Sequence, residues 1–213
     1  MLRHIGWYIH NLCIVQNLLG FVSWKEYGTL HIVHGCKKNA AESFIDDQVV
    51  IKAIFAVDLR GGMGRNGSLP WPHDKEDMHW FKAATTGHVV VMGSSTWTDP
   101  SMPKPLPGRH CVVVTNQPVD QFADAHDVIC GDALLPSLEV LALNHPRKDV
   151  WIIGGAKLIK STKHLFKQIH LTLMYDEYDC DVIINHKELL EDFNMQYESY
   201  GRNKIFSVWH AKP

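Results

Sequence analysis

The fold of this chain is constrained above all by short apolar segments that recur from residue 49 onward. They have the length and composition of strands that are covered on both faces of a sheet. These segments are residues 49–57, 89–92, 111–114, 128–130, 150–153 and 169–174. The sequence therefore predicts a buried and mostly parallel sheet.

Segments with helical spacing of apolar residues separate most of these strands. The three predicted helices are residues 76–85, 134–143 and 156–163. Asp74 is a candidate N-cap for the first of them. Near the C-terminus, residues 195–200 and 205–209 alternate between polar and apolar side chains, which predicts an antiparallel pair of strands. The predicted fold class is α/β, with a mostly parallel central sheet, antiparallel strands at its C-terminal edge and flanking helices.

The first 48 residues lack this pattern, and we interpret residues 1–48 as an N-terminal extension of unknown role that precedes a domain of residues 49–213. Residues 5–24 carry no charged side chain, as in a membrane span. His10, Asn11 and Gln16 would each be costly in hydrocarbon, which argues against a membrane anchor. Binding of a protein partner is one use for this extension.

The net charge and the cysteine content argue against some classes of function. A formal net charge of −2 gives no electrostatic reason to expect nucleic acid or an anionic membrane as partner, so we expect a small-molecule ligand. The five cysteines are widely spaced, which is typical of reduced thiols in a cytoplasmic protein. His31, His34 and Cys36 have a loose metal-ligand spacing, but no second cluster completes a zinc site, and no metal is predicted.

Residues 62–67 read as G-x-G-x-x-G, the pattern of dinucleotide-binding turns. Such a turn has to open a helix, so that its backbone N–H groups point at a pyrophosphate. Here Pro70 and Pro72 force an extended course instead. We therefore interpret the segment as a mobile surface loop that can close over a bound substrate.

Two other glycine-containing turns follow predicted strands and fit phosphate binding better. One consists of Gly93, Ser94, Ser95 and Thr96, and the other of Gly154, Gly155, Ala156 and Lys157. Each places free backbone donors and a hydroxyl or a lysine at the carboxyl end of a parallel strand, where open α/β sheets bind ligands. A plain tight turn is the ordinary alternative for either one.

Asp77 is the sharpest candidate for a functional side chain. It lies on the first predicted helix, close to Trp71 and Phe81 in the sequence. A carboxylate there is ordinarily solvated. If it is buried, its pKa rises, and it suits the pairing of a carboxylate with a cyclic amidine or a protonated heterocycle. The two aromatic residues would then form flat apolar walls for such a ring.

The order and spacing of several motifs resemble the dihydrofolate reductase family over residues 49 to about 210. The matching motifs are A-I-F-A-V-D at residues 53–58, G-x-G-x-x-G-x-L-P-W at 62–71, D-x-x-W-F-K at 77–82, V-M-G-x-x-T-W at 91–97, L-P-G-R at 106–109, I-G-G-A at 153–156 and H-L-T at 170–172. The resemblance implies NADPH-dependent hydride transfer to C6 of 7,8-dihydrofolate, giving tetrahydrofolate for one-carbon and thymidylate metabolism. The first 48 residues lie outside it.

The resemblance also implies a role for individual residues. Asp77 would hold the pterin N3 and 2-amino group, Thr172 would hydrogen-bond with it, and Trp71 completes the catalytic set. The substrate-binding residues would be Ile54, Phe55, Ala56, Met78, Phe81, Leu106, Ile153 and Arg109, the last for the glutamate α-carboxylate. The cofactor-binding residues would be Ala56, Met63, Gly64, Leu69, Gly93, Ser94, Ser95, Thr96, Thr115, Asn116, Gly154, Gly155, Ala156, Lys157 and Leu158.

Some positions depart from the family pattern. Ser94 stands where an arginine or lysine often grips the 2′-phosphate of NADP, and Thr115 and Asn116 offer hydrogen bonds there without charge. Asp181 keeps the acidic residue of a loop that, in this family, contacts the closing segment, which here is residues 62–71. Two alternatives stay open: a reductase of related fold for another heterocycle, and a non-catalytic folate-binding interaction protein. Arg109 favours a substrate with a distal carboxylate.

Overall fold

Ten strands form two sheets within residues 50–213, the part of the chain that this computed structural model describes. The strands are β1 (Ile51–Val57), β2 (Gly62–Gly64), β3 (Val89–Gly93), β4 (His110–Thr115), β5 (Asp127–Cys130), β6 (Val150–Gly154), β7 (Gln168–Met174), β8 (Val182–Ile183), β9 (Phe193–Gly201) and β10 (Lys204–Ala211). Eight of them form the central sheet in the order β5-β4-β3-β6-β1-β7-β10-β9, and β2 pairs with β8. The interpretation of residues 1–48 and of the His31, His34 and Cys36 spacing lies outside the described residues.

The central sheet has the predicted mixture of strand directions. From β5 to β7 all neighbouring strands are parallel, whereas β10 runs antiparallel to both β7 and β9. The turn between β9 and β10 contains Asn203 with φ 65°, a left-handed conformation that asparagine tolerates better than most residues. The predicted fold class is therefore confirmed, including the antiparallel C-terminal pair.

Five helices connect or flank these strands. They are α1 (Lys75–Thr85), α2 (Ser94–Trp97), α3 (Leu134–Asn144), α4 (Ala156–Thr162) and α5 (His186–Leu190). Asp74 caps α1 as predicted, since its Oδ1 accepts a hydrogen bond from the backbone N–H of Asp77 at 3.0 Å. The glycine-containing turn after β3 leads into the short helix α2, as the sequence indicates, but the sequence did not predict α5, because a helix of five residues is too short for a periodic pattern.

Both faces of the central sheet are covered by apolar side chains. Alternate residues of β1 divide between two core clusters, with Ala53, Phe55 and Val57 in one cluster and Ile54 in the other. The cluster that contains Ile54 also packs against Trp80 and Phe81 of α1. The side of the sheet that α1 covers is therefore where the candidate site residues gather. Within residues 50–213, no helix combines the length and the apolar character needed to cross a membrane.

The glycine-rich segment after β1 is more regular than the loop that the sequence predicted. Its first part is β2, in which Gly62 and Gly64 pair with Ile183 and Val182 of β8. Asp181 extends this contact, because its carboxylate accepts from the backbone N–H of Asn66 at 2.8 Å. The pairing was not foreseen, because its partner strand lies about 120 residues away in the sequence and has only two residues.

Candidate active site

The two side chains at the centre of the site come from different elements. Asp77 lies in the first turn of α1 and is only 5% exposed, and Thr172 lies on β7 and is 1% exposed. The Thr172 hydroxyl hydrogen-bonds with the Asp77 carboxylate. The structure therefore brings together the acid and the hydroxyl that the sequence predicted as partners, and it buries the acid.

Burial raises the pKa of Asp77 above its ordinary value. The hydrogen bond from Thr172 opposes this effect, the nearby Asp74 carboxylate adds to it, and the positive charge of Lys204 opposes it again. A buried carboxylate of this kind is stabilised by a ligand that brings N–H donors or a positive charge. The side chain is therefore suited to bind an amidine-like edge of a flat heterocycle.

A buried lysine supports the start of α1. Lys204, at the beginning of β10, has a side chain only 3% exposed, and its Nζ lies 2.8 Å from Asp74 Oδ2 and 2.7 Å from Glu76 Oε2. Glu76 also accepts from the backbone N–H of Arg202 at 3.1 Å. Because the two acids lie just before Asp77, at the N-cap and in the first turn of α1, these contacts hold the start of the helix against β10. No local pattern in the sequence predicts this network, since 128 residues separate Glu76 from Lys204.

Trp71 precedes Asp77 by six residues and is 7% exposed. Its ring meets that of Tyr178 edge to face, with 5.6 Å between the ring centroids. Among the described residues, no group accepts a hydrogen bond from its buried Nε1. A buried indole N–H without a protein acceptor is available to a ligand or to a water that bridges to one.

A second buried carboxylate, Asp58, follows β1 and is 0% exposed. It accepts hydrogen bonds from the backbone N–H groups of Gly62 at 2.7 Å, Arg60 at 2.9 Å and Tyr178 at 2.9 Å. Burial acts to raise the pKa of Asp58, but these three donors outweigh it and hold the pKa below its ordinary value. Asp58 therefore stays ionised and fixes the start of the glycine-rich segment to the chain around Tyr178. Asp58 ends the sequence motif of residues 53–58, but that motif predicted no role for it.

Arg109 is held in a fixed orientation at the other end of α1. Its Nε donates to Thr85 Oγ1 at 3.2 Å, its Nη1 donates to the Pro107 carbonyl at 2.7 Å, and its guanidinium carbon lies 5.5 Å from the Phe81 ring centroid. Burial lowers the pKa of Arg109 from its ordinary value, and a guanidinium remains charged at neutral pH. A guanidinium that is oriented by its neighbours is suited to clamp a carboxylate.

The remaining predicted substrate residues fall into two groups by burial. Ile54, Phe55 and Leu106 are buried, whereas Ala56, Met78, Phe81 and Ile153 are partly exposed. Ile153 and Phe81 pack against the core cluster that contains Ile54 and Leu106. Ile54, Leu106, Phe81 and Ile153 therefore share one apolar surface between α1 and the sheet, whereas Phe55 belongs to the other core cluster.

The two predicted phosphate-binding turns lie side by side, at the carboxyl ends of the neighbouring strands β3 and β6. A Cβ placed on Gly93 would lie 3.8 Å from the Gly155 backbone nitrogen, and one on Gly154 would lie 3.6 Å from Thr96 Oγ1. Gly154 has φ 128°, a conformation that favours glycine, and the Gly154–Gly155 peptide is cis. The lack of side chains here lets a ligand approach the backbone and the Thr96 hydroxyl closely, which fits a dinucleotide.

Other predicted cofactor residues are less directly available. The Asn116 side chain accepts from the backbone N–H of Gly131 at 2.7 Å and donates to Asp132 Oδ1 at 3.3 Å, so it is already committed to the turn after β5. The Thr115 hydroxyl accepts from the backbone N–H of Gln117 at 3.1 Å. Leu158 packs in a core cluster, and Ala156 lies at its margin. Ser95, Leu69 and Lys157 are exposed, and Met63, Gly64 and Ser94 are partly exposed.

Comparison with known proteins agrees with this arrangement. A sequence model of the family described as "Dihydrofolate reductase" matches residues 50–206. Dihydrofolate reductase type 8 of Escherichia coli is 31% identical over 147 residues, which cover 68% of this chain and 86% of that protein. Dihydrofolate reductase of Bacillus subtilis is 32% identical over 133 residues, which cover 62% of this chain and 73% of that one.

A solved structure shares the same fold. Dihydrofolate reductase from Enterococcus faecalis, complexed with NADP(H) and RAB-propyl, superposes with a TM-score of 0.63 at 19% sequence identity. The superposition covers 77% of this chain and 97% of that one. The two chains therefore have one architecture, including the mostly parallel sheet and its antiparallel C-terminal strands.

Proposed function

This chain belongs to the dihydrofolate reductase family, and on that premise we propose that it catalyses hydride transfer from C4 of NADPH to C6 of 7,8-dihydrofolate. The product, tetrahydrofolate, would serve one-carbon and thymidylate metabolism. The predicted enzyme class is confirmed by the family match. The individual residue roles given below belong to the proposal.

The buried Asp77 carboxylate is the observation that carries the proposal. Its two oxygens would accept from N3–H and the 2-amino group of the pterin, which form an amidine-like edge with two parallel donors. The raised pKa of Asp77 supports this role, because within residues 50–213 no cationic side chain forms an ion pair with this buried acid, and such an acid is stabilised when a ligand brings these donors. Thr172 would keep the carboxylate in orientation through its hydroxyl.

Asp77 would hold and polarise the ring without delivering the proton to N5 itself. We assign that proton to water, which enters before residues 62–71 close over the ring and exclude bulk solvent. The buried Nε1 of Trp71 would position such a water or the ring carbonyl. Ile54, Phe55 and Ala56 would border the reacting rings.

Arg109 would bind the α-carboxylate of the glutamate tail. Its Nε and Nη1 hydrogen bonds orient the guanidinium next to Phe81, which would face the aminobenzoyl group together with Met78 and Leu106. Because a fixed planar fork recognises a carboxylate better than a flexible ammonium does, we expect Lys at this position to bind substrate more weakly.

The glycine turns at Gly93 and at Gly154 and Gly155 would hold the pyrophosphate of the dinucleotide. Their backbones approach each other, and the Thr96 hydroxyl lies close to Gly154 and Gly155. Backbone N–H groups at the carboxyl end of parallel strands are the usual donors for such a group. Met63 and Gly64 of the closing segment would cover the nicotinamide.

The proposal is tested by adding dihydrofolate to the purified full chain and following NADPH absorbance, with NADH in parallel. We expect NADPH to be oxidised, and Asp77→Asn to lower the turnover number at neutral pH by about 100-fold or more. The matched control is Asp124→Asn, an exposed aspartate on the same chain, which should turn over normally. Failure of the unsubstituted chain to oxidise NADPH, or near-normal turnover by Asp77→Asn, would contradict the proposal.

A reducing, cytoplasmic location fits this function, and we include it in the proposal. Among the described residues, Cys111, Cys130 and Cys180 are all free thiols, which supports the predicted reduced state. Residues 1–48 remain a predicted extension that could bind a protein partner.

A further inference from the structure

A second cluster of polar side chains lies at the amino ends of β4 and β5, whereas the glycine turns lie at the carboxyl ends of the neighbouring strands. His110 is the first residue of β4, and Asp127 is the first residue of β5. His145 directly follows the last residue of α3. Since the parallel strand β4 has six residues at about 3.3 Å each, the cluster lies roughly 17–20 Å from the carboxyl end of that strand.

These three side chains converge on one point. One potential ligand atom from each of His110, Asp127 and His145 lies within 4.8 Å of the others. The distance from His110 Nε2 to Asp127 Oδ2 is 2.6 Å, and the His110 and His145 ring centroids are 4.5 Å apart. All three side chains are partly exposed, so the cluster is open to solvent on one side.

A third histidine, His126, supports the position of His110. Its ring centroid lies 4.9 Å from that of His110, and its Nδ1 accepts from the backbone N–H of Cys111 at 3.0 Å. The hydrogen bond to the Cys111 backbone fixes the His126 ring beside the start of β4. His110 therefore has one neighbouring ring that is held by the sheet and another, His145, that belongs to the end of a helix.

We propose that His110, Asp127 and His145 bind a zinc ion, with a solvent molecule as the fourth ligand. Two imidazoles and one carboxylate form a common protein ligand set for zinc. At metal–ligand distances of about 2.0–2.2 Å, tetrahedral ligand atoms lie about 3.3 Å from one another. The pair now at 2.6 Å would open slightly and the wider pairs would close by roughly 1–1.5 Å, within the range of side-chain rotations.

The ion would act as a cross-link between elements that are separate in the sequence. His110, Asp127 and His145 are spaced by 17 and 18 residues and come from β4, β5 and the end of α3. Binding to the folded chain alone would stabilise this edge of the sheet in proportion to the logarithm of the free zinc concentration. The site is independent of the proposed hydride transfer, because it lies at the opposite edge of the sheet.

The test uses the full chain after treatment with a chelator. Calorimetric titration with Zn²⁺ measures binding, and titration with Co²⁺ measures the visible absorption of a tetrahedral site. We expect His145→Ala to weaken Zn²⁺ binding at least about tenfold, since loss of even an outer-shell partner typically costs roughly 10–100-fold. Asp127→Asn should do the same while keeping a hydrogen-bonding partner for His110, and the exposed His164→Ala serves as the control.

A second set of variants distinguishes zinc binding at this site from zinc binding by the histidines of the N-terminal extension. In the double variant His31→Ala/His34→Ala, the zinc-dependent rise in melting temperature should persist, and adding His145→Ala to that background should abolish it. Reductase activity checks the fold of every variant. The proposal is overturned if the full chain binds neither metal, if binding is indifferent to both His145→Ala and Asp127→Asn, or if it is lost entirely with His31 and His34.

Discussion

The turn after β1 and the first turn of α1 each bury one carboxylate, yet the two acids have opposite properties. Asp58 receives three backbone N–H donors, and its pKa falls below the ordinary value in spite of burial. Asp77 receives one hydroxyl hydrogen bond, and burial raises its pKa. The contrast indicates that the number of protein donors decides whether a buried acid serves the fold or is left for a ligand.

The largest expected effect is on the free energy of unfolding, which should respond differently to substitution of the two acids. Asp58→Asn should lower the free energy of unfolding by about 3 kcal/mol or more, because an amide can replace only part of the acceptor capacity and adds N–H donors opposite backbone N–H groups. Asp77→Asn should leave that free energy unchanged or raise it, because it removes a poorly compensated buried charge. Denaturant unfolding at pH 7 measures both.

The same pair has opposite pH dependence. The stability from Asp58, whose folded pKa is lowered, is present above its unfolded pKa and is lost as pH falls below about 4. Asp77, whose folded pKa is raised, costs stability as pH rises above its unfolded value and ceases to do so in acid. Equal losses for the two asparagine variants, at pH 7 and in acid, would show that the two sites do not differ as described.

A half-buried base close to Thr172 provides a further comparison with the two acids. His170 lies on β7 two residues before Thr172, and burial, with smaller contributions from Lys52 and His210, lowers the pKa of His170 from 6.5 to about 4. It stays neutral in the fold, so its stability contribution is present above pH 6.5 and is lost as pH falls towards 4. The loss amounts to at most about 3 kcal/mol.

The variant His170→Phe should therefore flatten the fall in unfolding free energy between pH 7 and about pH 4.5. Phenylalanine keeps a flat ring between Trp80 and Trp151, which both contact the His170 ring. The exposed His79→Phe on α1 is the control and should keep the pH dependence of the unsubstituted chain. An unchanged slope in His170→Phe would place the acid sensitivity elsewhere.

Sequence patterns predicted the fold and singled out candidate residues for the site, and both depend on local features. Buried strands such as β1 and β3 are apolar along their whole length, and a helix such as α1 has a cap and a period. Asp77 and Arg109 were identified because they belong to motifs of contiguous residues. These features are local, so they can be read from short windows of sequence.

Contacts between distant segments could not be predicted in this way. Lys204 reaches Asp74 and Glu76 across about 130 residues, and β2 finds its partner in a two-residue strand. The commitment of Asn116 to Gly131 and Asp132 likewise depends on the packing of β4 beside β5. In each case the partner is set by the sheet order, which no local pattern contains.

The positive charge of Lys204 compensates the acids at the start of α1, whereas backbone N–H donors compensate Asp58. Lys204→Met should raise the pKa of Asp77 further, because the positive charge that opposes the effect of burial is removed. We expect the pH profile of turnover to shift to higher pH and the rate at pH 7 to change by less than about tenfold. Lys204→Arg, which keeps the charge, should restore the profile, and an unshifted profile in Lys204→Met would separate Lys204 from Asp77.

The smallest expected effect concerns an exposed acid at the same edge of the sheet as Asp58 and Asp77. Asp132 is held near the predicted 2′-phosphate position by Asn116 Nδ2, and neither Ser94 nor Asn116 brings a positive charge there. Asp132→Asn should therefore lower the KM for NADPH about two- to fivefold at low salt, with little change for NADH, because it removes a repulsion between like charges that solvent screens. The salt dependence of the two KM values is the deciding measurement, since the repulsion fades at high ionic strength. An equal change for NADPH and NADH would assign the effect to the adenosine or the turn itself, because the two cofactors differ only in the 2′-phosphate.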